Sequence, residues 1–272
     1  MIGEEICRLR VRNSSEWITH FEENAACQRA VPWYQGAGVS AAELAEIADS
    51  LRGWQLGETS DGSHLFTAAC HYAKAIGDPD FVGAVRLFIA EEQRHGRQLG
   101  RFLDLAGVPR ASEDRGDSLF RFVRYSVSRM EVWATPVVMV ETHAMIYYNA
   151  IRRATKSAVL RRICEQILAD EVAHIRFQCE RLAILHHRCS RWRRALTMRL
   201  HRLLFVVITI AVWTGHRRAL RAGGYDFARF WKSAWGKMRF AWRMMSPDIY
   251  CWNDTPTTGQ SSRRPTLGRS PA

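Results

Sequence analysis

Two short segments of the sequence place a carboxylate and an imidazole nearly one helical turn apart. The segment EEQRH contains Glu92 three residues before His95, and the segment DEVAH contains Glu171 three residues before His174. Residues three apart on a helix lie on the same side, so the two side chains of each pair can reach one ion. Because carboxylates and imidazoles both bind first-row transition metals, the two pairs predict metal coordination.

Two further glutamates, Glu58 and Glu141, fall among apolar residues at helical spacing and are expected on the inward side of their helices. Glu58 precedes Glu92 by 34 residues, and Glu141 precedes Glu171 by 30. Helices joined by short loops place their midpoints about 30 residues apart, so all four carboxylates could meet at one level of an antiparallel bundle. Asp61, one turn beyond Glu58, is the alternative ligand on the first helix.

The competing interpretation of these residues is a set of salt-bridged ion pairs across two core helices. An unpaired carboxylate in a core costs several kcal/mol or more, so these glutamates need either basic partners or a metal ion. Metal is favoured because both Glu-x-x-His pairs lie on apolar stripes, and each pair follows another inward glutamate at the spacing of one helix and loop.

Start and stop signals indicate that these residues lie on long helices. Proline is scarce, with 8 in 272 residues, and clusters of turn residues are few. Ser40 and Glu43 form a capping box, and the segments GDPD and AGVP mark a turn and a helix end. We expect helices over about 15–26, 40–76 with kinks near Gly53 and Gly57, 81–105, 119–154 with a bend at Pro136, and 157–187.

Residues 41–187, which carry both motifs, resemble the ferritin-like di-iron carboxylate superfamily, which includes rubrerythrins, bacterial multicomponent monooxygenases, arylamine N-oxygenases and ribonucleotide reductase small subunits. EEQRH is similar to the acidic-Glu-x-Arg-His form of that superfamily, and DEVAH is similar to its second copy without the arginine. One Glu from each of two helices and one Glu-x-x-His from each of the other two is the di-iron arrangement. The resemblance implies an all-α fold, a ferritin-like antiparallel four-helix bundle with a crossover between its second and third helices.

The resemblance also implies a set of metal ligands. The Glu and His of each motif would bind one iron, and the glutamates of the other two helices would complete the site, with some carboxylates bridging. The implied ligands are Glu58, Glu92, His95, Glu141, Glu171 and His174. Iron rests on the resemblance alone, since the same ligand types accept manganese or a mixed pair of manganese and iron.

Four more residues have implied or open roles beside the metal ligands. The acids that precede the two motifs, Glu91 and Asp170, would hold the imidazole rings in the correct tautomer, and Arg94 would tie these outer residues together. Tyr148 lies two helical turns beyond Glu141 on the same face. It is either an ordinary core tyrosine or a residue with a redox or substrate role beside the di-metal centre.

The function that the resemblance implies is a di-iron oxidoreductase that activates O₂ or peroxide. The expected reaction is oxygenation or hydroxylation of a small organic substrate. Electrons would come from an external donor, because the chain lacks the CxxC pairs of a rubredoxin-type centre. The alternatives are a ferroxidase or iron-handling protein, and a metal-stabilised binding protein with no organic substrate. The sequence leaves homodimer formation open.

The last third of the chain is strongly basic. Residues 188–272 contain 17 of the 39 Lys and Arg but only 3 of the 27 Asp and Glu. Residues 203–213, LLFVVITIAVW, are too short an apolar run to cross a bilayer. Aromatic and basic residues then alternate up to about residue 245. The segment 203–245 could lie on a membrane surface, which would favour a hydrophobic substrate, or pack on the bundle; nucleic acid or an acidic protein is the less favoured partner.

The sequence therefore predicts four parts: an N-terminal helix and lead-in over 1–40, a di-metal bundle over 41–187, a basic, Trp-rich helical extension over 188–246, and a disordered tail over 247–272. Seven cysteines are scattered without a CxxC pair, and the first residues lack an apolar run with a cleavage site. We expect reduced thiols and a cytoplasmic protein, or one attached peripherally to the inner face of the membrane.

Overall fold

The computed structural model describes residues 9–59, 62–111 and 130–252. In these ranges the chain is helical and contains no β-strand beyond one isolated bridge between Leu9 and Tyr250. The all-α prediction is confirmed, whereas the ferritin-like bundle stays a prediction. The helices are α1 Ser14–Ala26, α2 Ala41–Glu58, α3 Ser63–Ile76, α4 Asp80–Leu105, α5 Met130–Ala154, α6 Ala158–His187, α7 Arg191–Ala222 and α8 Phe227–Met244, with single 3₁₀ turns at Trp33–Gln35 and Pro247–Ile249.

Side chains just before the helices fix where several of them begin. The predicted capping box at Ser40 is present, because the Ser40 hydroxyl accepts from the Glu43 backbone N–H and the Glu43 carboxylate accepts from that of Ser40. Asn13 and Glu16 form the same arrangement before α1. Each cap satisfies backbone donors that a helix leaves unpaired and stabilises the helix by about 1 kcal/mol.

The region predicted as one long helix over 40–76 is instead two helices. α2 ends at Glu58 and α3 begins at Ser63, while the predicted kink positions Gly53 and Gly57 lie inside α2. The interruption includes Gly62, whose φ of +66° is in the left-handed region. A Cβ there would lie 2.7 Å from Ile89 Cγ2 of α4, so a glycine also permits this close approach. Glu58 thus lies on the last turn of its helix.

The other predicted helices of the bundle agree closely with the structure. α4 ends at Leu105, as expected from the stop signal AGVP, and α6 ends at His187, where its end was predicted. Pro136 lies within α5, whose described part begins at Met130. The predicted beginning of that helix near residue 119, and the crossover before it, lie outside the described residues, as does Asp61.

A shared apolar core joins the basic C-terminal helices to the rest of the molecule. One cluster of buried residues extends from Trp17 of α1 through Phe88 and Phe177 to Phe205 of α7 and Met245 after α8. α5 packs against α6, α7 and α8, and α4 packs against α1, α2, α3 and α6. The residues predicted as an extension over 188–246 therefore complete the same hydrophobic core.

Part of the predicted disordered tail is ordered. Tyr250 is fully buried and its hydroxyl donates to the Met244 carbonyl at 2.8 Å. Leu9 N–H donates to the Ile249 carbonyl, and Cys251 N–H donates to the Leu9 carbonyl, both at 2.9 Å. Residues 247–252 are thus held by burial and by pairing with the N-terminal segment, and the prediction of disorder was wrong for them. Residues 253–272 lie outside the described ranges.

Candidate metal centre

The structure brings together all six residues that the sequence singled out as metal ligands. They come from four helices: Glu58 from α2, Glu92 and His95 from α4, Glu141 from α5, and Glu171 and His174 from α6. Five of them are buried, and the sixth, Glu92, has a side chain that is 24% exposed. Glu92 therefore marks the side on which the cluster is nearest to solvent.

The six residues form two groups that could each hold a metal ion. One group contains Glu92, Glu141, Glu171 and His174, and the other contains Glu58, His95 and Glu171, with the ligand atoms of each group within 4.8 Å of one another. Glu171 belongs to both groups. The expected pairing of Glu92 with His95 differs from this grouping, since Glu92 Oε1 lies 2.7 Å from His174 Nδ1 but 3.9 Å from His95 Nδ1.

Five buried ligand atoms of this cluster have no hydrogen-bond partner outside the cluster within the described part of the chain. They face one another at the centre of the cluster, and they are Glu92 Oε1, His95 Nδ1, Glu141 Oε2, Glu171 Oε2 and His174 Nδ1. Buried polar atoms normally have partners, because leaving one unsatisfied costs about 1–3 kcal/mol. So many such ligand atoms within 4.8 Å of one another indicate a place that could hold a cation.

Each imidazole is held from its other side by an acid on the opposite helix. His95 Nε2 on α4 donates to Asp170 Oδ2 on α6, and His174 Nε2 on α6 donates to Glu91 Oε2 on α4, both at 2.9 Å. In the neutral imidazole this leaves Nδ1 as the acceptor that faces the cluster. The acid before each motif thus orients the histidine of the other motif.

Two side chains connect these acids, and one of them, the cation Arg94, also neutralises part of their charge. Arg94 Nη2 donates to Glu91 Oε1 at 2.9 Å and to Asp170 Oδ2 at 3.1 Å. The amide of Asn24 on α1 donates to Asp170 Oδ1 at 2.9 Å and also to Glu91. Arg94 was expected from the motif, but Asn24 was missed. Its available signal was its spacing from the inward Phe21, three residues earlier.

Two glutamines on α6 were also missed as partners of the cluster. Gln178 Nε2 donates to Glu141 Oε1, and Gln166 Nε2 donates to Asp170 Oδ1, both at 3.0 Å. Each lies four residues from a site residue on the same helix, a spacing that places them on the same face. A polar amide on an otherwise apolar stripe was the signal that could have identified them.

Tyr148 is in direct contact with a candidate ligand. Its hydroxyl donates to Glu58 Oε1 at 2.6 Å, and its ring packs edge-on against Trp54. Burial, followed by the charge of Glu58, raises the pKa of Tyr148 well above its usual value, so the hydroxyl keeps its proton and remains a donor. The structure therefore places Tyr148 beside the cluster, where it fixes the orientation of Glu58.

A close helix crossing brings Glu58 to the cluster. A Cβ at Gly96 on α4 would lie 2.7 Å from Thr59 Cγ2 and 3.0 Å from the backbone carbon of Glu58. Only a glycine at position 96 allows α2 to approach α4 so closely. Because Gly96 follows His95 directly, this crossing sets the distance of 4.0 Å between His95 Nδ1 and Glu58 Oε2.

Burial and crowded carboxylates shift the protonation of the cluster. Burial raises the pKa values of Glu58 and Glu171, and the neighbouring carboxylates of Glu92 and Glu141 raise them further. Burial acts in the same direction on Glu141, but its contacts with Glu171 and His174 outweigh burial and lower its pKa. Burial opposes a charge on His174, yet Glu92 and the other acids raise its pKa well above the usual value. The cluster therefore holds protons that a metal cation could displace.

Comparisons of the chain with protein-family models, with curated proteins and with solved structures found no match. A function for this chain is therefore inferred from its own residues, from their motifs and from their geometry. What that geometry supplies is a buried cluster of carboxylates and imidazoles that could bind metal.

Proposed function

We propose that this protein binds two first-row transition metal ions, of which iron is the simplest choice, and that it is an oxidoreductase that activates O₂ or peroxide. The observation that carries the proposal is the set of five orphaned ligand atoms at the centre of the cluster. A network of structural ion pairs would bring these atoms to hydrogen-bond distance, because the value of a buried ion pair depends on saturating its hydrogen bonds. Of the imidazole–carboxylate pairs within this set, Glu92 Oε1 and His174 Nδ1 are that close, at 2.7 Å, whereas the other distances are 3.6–3.9 Å.

The distances within the cluster fit ions placed between the ligands. His174 Nδ1 lies 3.6 Å from Glu141 Oε2 and 3.8 Å from Glu171 Oε2, which is too far for hydrogen bonds. Two atoms that each lie about 2.1 Å from one ion are about 3–4 Å apart when they occupy separate coordination positions. The closer Glu92 is also the most exposed of the six side chains, so it has the most freedom to move.

The number and type of the ligands suit a pair of divalent ions. Four carboxylates balance the charge of two such ions, and the two imidazoles are ligands that iron and manganese both accept. A bound pair of irons would supply the electrons that reduce O₂ or peroxide. The chain itself contributes a dry environment, since the rings of Phe21 and Phe88 cover His174 at centroid distances of 6.1 Å and 4.7 Å.

The proposed reaction class is oxygenation or hydroxylation of a small organic substrate with electrons from an external donor. This choice follows the resemblance of the two motifs to di-iron oxygenases. Iron oxidation without an organic substrate is the alternative that the same cluster could perform. The two functions differ in their response to a reductant. An oxygenase consumes O₂ repeatedly when a reductant is present, whereas an iron-oxidising protein consumes O₂ once for each iron it takes up.

The proposal is tested by loading metal-free protein with Fe(II) without oxygen and then admitting O₂. We expect O₂ uptake in proportion to bound iron, together with near-ultraviolet absorption from the oxidised centre. Glu171→Ala should abolish both, because Glu171 belongs to both groups of ligands. Glu165→Gln on the same helix is the matched control, since Glu165 forms only partly exposed ion pairs with Arg152 and Arg162.

Repeated O₂ consumption when a chemical reductant is added would support an oxygenase or oxidase. A single round of uptake that leaves oxidised iron in the protein would support the iron-handling alternative. Uptake that is the same in the wild type and in Glu171→Ala would contradict both, because the cluster would then have no part in the reaction.

A further inference from the structure

The outward side of α7 carries a row of large apolar side chains. Of twelve exposed large hydrophobic residues in the described ranges, six lie on α7 and two on α8. The six follow one another at intervals of three or four residues, which places them along one helix face. They are Trp192, Leu196, Leu200, Leu203, Val207 and Ile210, and we call them the apolar row. Exposed apolar surface that is continuous in this way marks an interaction site.

The fold itself does not need the apolar row, because α7 is attached by its opposite face. Phe205, Thr209 and Trp213 are buried on that face. Thr209 Oγ1 lies 3.0 Å from His143 Nε2 on α5, and the Phe205 ring contacts Trp235 and Trp242 of α8. The helix is therefore apolar on both sides, with one side in the core and the other exposed.

By length and composition alone, α7 could also cross a membrane. Its uncharged part, however, is limited to the 14 residues between Arg202 and Arg217. In a helix these residues span about 21 Å, which is shorter than the roughly 30 Å of a bilayer's hydrocarbon core. Phe205 and Trp213 are buried against the other helices, so α7 is packed along the protein and cannot insert alone. The helix is therefore suited to lie flat on a bilayer.

The charges around the apolar row indicate which partner could cover it: a second copy of the chain, a nucleic acid or a bilayer. Neither α7 nor α8 contains an Asp or a Glu. Arg199 and Arg202 lie at one end of the uncharged stretch, Arg217 and Arg221 lie at the other, and all four are exposed. A second copy would bring arginines against arginines in either orientation. A nucleic acid offers phosphates but no partner for the row, whereas a bilayer with anionic lipids matches both features.

The neighbouring helix α8 presents the same combination of aromatic and basic side chains. Phe240, Arg229, Lys232, Arg239 and Arg243 are exposed on one face of α8, and Phe227 is exposed at its beginning. Aromatic rings favour the level of lipid headgroups, and each cation near an anionic membrane strengthens the attraction. We infer that the apolar row of α7, together with this face of α8, lies in the headgroup region of a bilayer that contains anionic lipids.

The inference is tested by flotation of the full-length protein with two kinds of vesicle, one of phosphatidylcholine alone and one with a third of phosphatidylserine. A triple variant, Leu203→Gln, Val207→Gln and Ile210→Gln, removes the C-terminal half of the apolar row, and all three side chains are exposed. Leu105→Gln on α4 is the matched control, since Leu105 is also exposed. Circular dichroism reports whether each variant keeps its helices.

We expect binding to the anionic vesicles that is about tenfold or more tighter than to the neutral ones. The triple variant should lose about tenfold or more of this affinity, and the control should lose none. Absence of binding by the wild type, or equal binding by a folded triple variant, would overturn the inference. So would a wild-type dimer in analytical ultracentrifugation that the triple variant lacks, because a second copy would then cover the row. None of these results depends on the metal cluster.

Discussion

At the scale of single residues, the cluster depends on two acids that are not candidate ligands, Asp170 and Glu91. Each of them contacts an imidazole on the nitrogen that faces away from the cluster. Burial opposes a charge on Asp170, but its hydrogen bond with His95 and the charge of that imidazole hold the pKa of Asp170 below its usual range. Asp170 therefore stays ionised and fixes the His95 ring with Nδ1 toward the glutamates. The same geometry holds His174 through Glu91.

Replacing this acid should weaken metal binding while the ligands themselves remain. We expect Asp170→Asn to lower metal affinity by about 10–100-fold, because an amide cannot fix the imidazole tautomer as a carboxylate does. Competition with a chelator of known affinity measures the change. Glu165→Gln on the same helix should keep the wild-type affinity. Equal affinities of wild type and Asp170→Asn would show that the outer acids do not position the ligands.

His143 gives a pH dependence that is separate from metal binding. It is fully buried on α5, where its Nδ1 donates to the Met139 carbonyl, and burial lowers its pKa to about 4. In the unfolded chain a histidine has a pKa near 6.5, so the unfolded state binds the extra proton first as pH falls. The stability from neutral His143 is therefore complete above about pH 6.5 and is lost toward pH 4.

Urea unfolding of the metal-free protein at pH 8 and pH 5 measures this effect. From the two pKa values we expect acidification over this interval to reduce the free energy of unfolding by about 2 kcal/mol through His143 alone. His143→Gln, although less stable overall, should show a pH dependence that is smaller by this amount. An unchanged pH dependence in His143→Gln would mean that this histidine is not held neutral by burial.

At the scale of helices, α4 and α6 were predictable because local residues define them. Gly107 and Pro109 end α4, and the apolar stripes fix which sides of these helices face inward. The break between α2 and α3 was missed although the segment TSDGS over 59–63 is a local cluster of turn residues with an Asp-Gly pair. Asn24 could not be identified from local sequence in this way, because its partners lie on α4 and α6.

The crossing of α2 and α4 at Gly96 can be tested by adding one methyl group. Gly96→Ala would force a Cβ against the backbone of Glu58, and the helices would have to separate. We expect a loss of about 1–3 kcal/mol in the free energy of unfolding and weaker metal binding, because Glu58 moves away from His95. Urea unfolding and chelator competition measure the two effects.

Gly57→Ala is the matched control, because it changes a glycine of α2 that has no neighbour within 4 Å of an added Cβ. It should stabilise the protein by about 0.5–1 kcal/mol through the higher helix propensity of alanine. If Gly96→Ala were as stable as Gly57→Ala, the close crossing would not hold Glu58 in place.

At the scale of the whole molecule, the spacing of a few residues predicted which side chains lie together better than it predicted how the helices divide. Repeated Glu and His at helical intervals determine which side chains can meet, whatever the order in which helices pack. The sequence predicted that the bundle ends at residue 187, but the hydrophobic core continues beyond that residue. Phe205 and Phe230 belong to the same buried cluster as Phe177. The many basic residues of α7 and α8 lie on the exposed sides of these helices. They gave no indication that the opposite sides are apolar and buried.

The cluster also connects four helices through mutually repelling groups, so metal should stabilise the whole fold. Without a cation, the glutamates must share protons in a buried site. An ion that binds only the folded state raises stability with its concentration, by about 2.7 kcal/mol at a hundred times its Kd.

The most direct test of the central claim is the metal content per chain of protein expressed in iron-replete medium, with Glu92→Ala and Glu171→Ala prepared in parallel. The two ligand groups predict about two metal ions per chain in the wild type. Glu171→Ala should retain almost none, since it takes a ligand from both groups, and Glu92→Ala should retain at most about one. A wild type without bound metal, and variants that differ from it only in stability, would make these residues a buried ion-pair network and contradict the account.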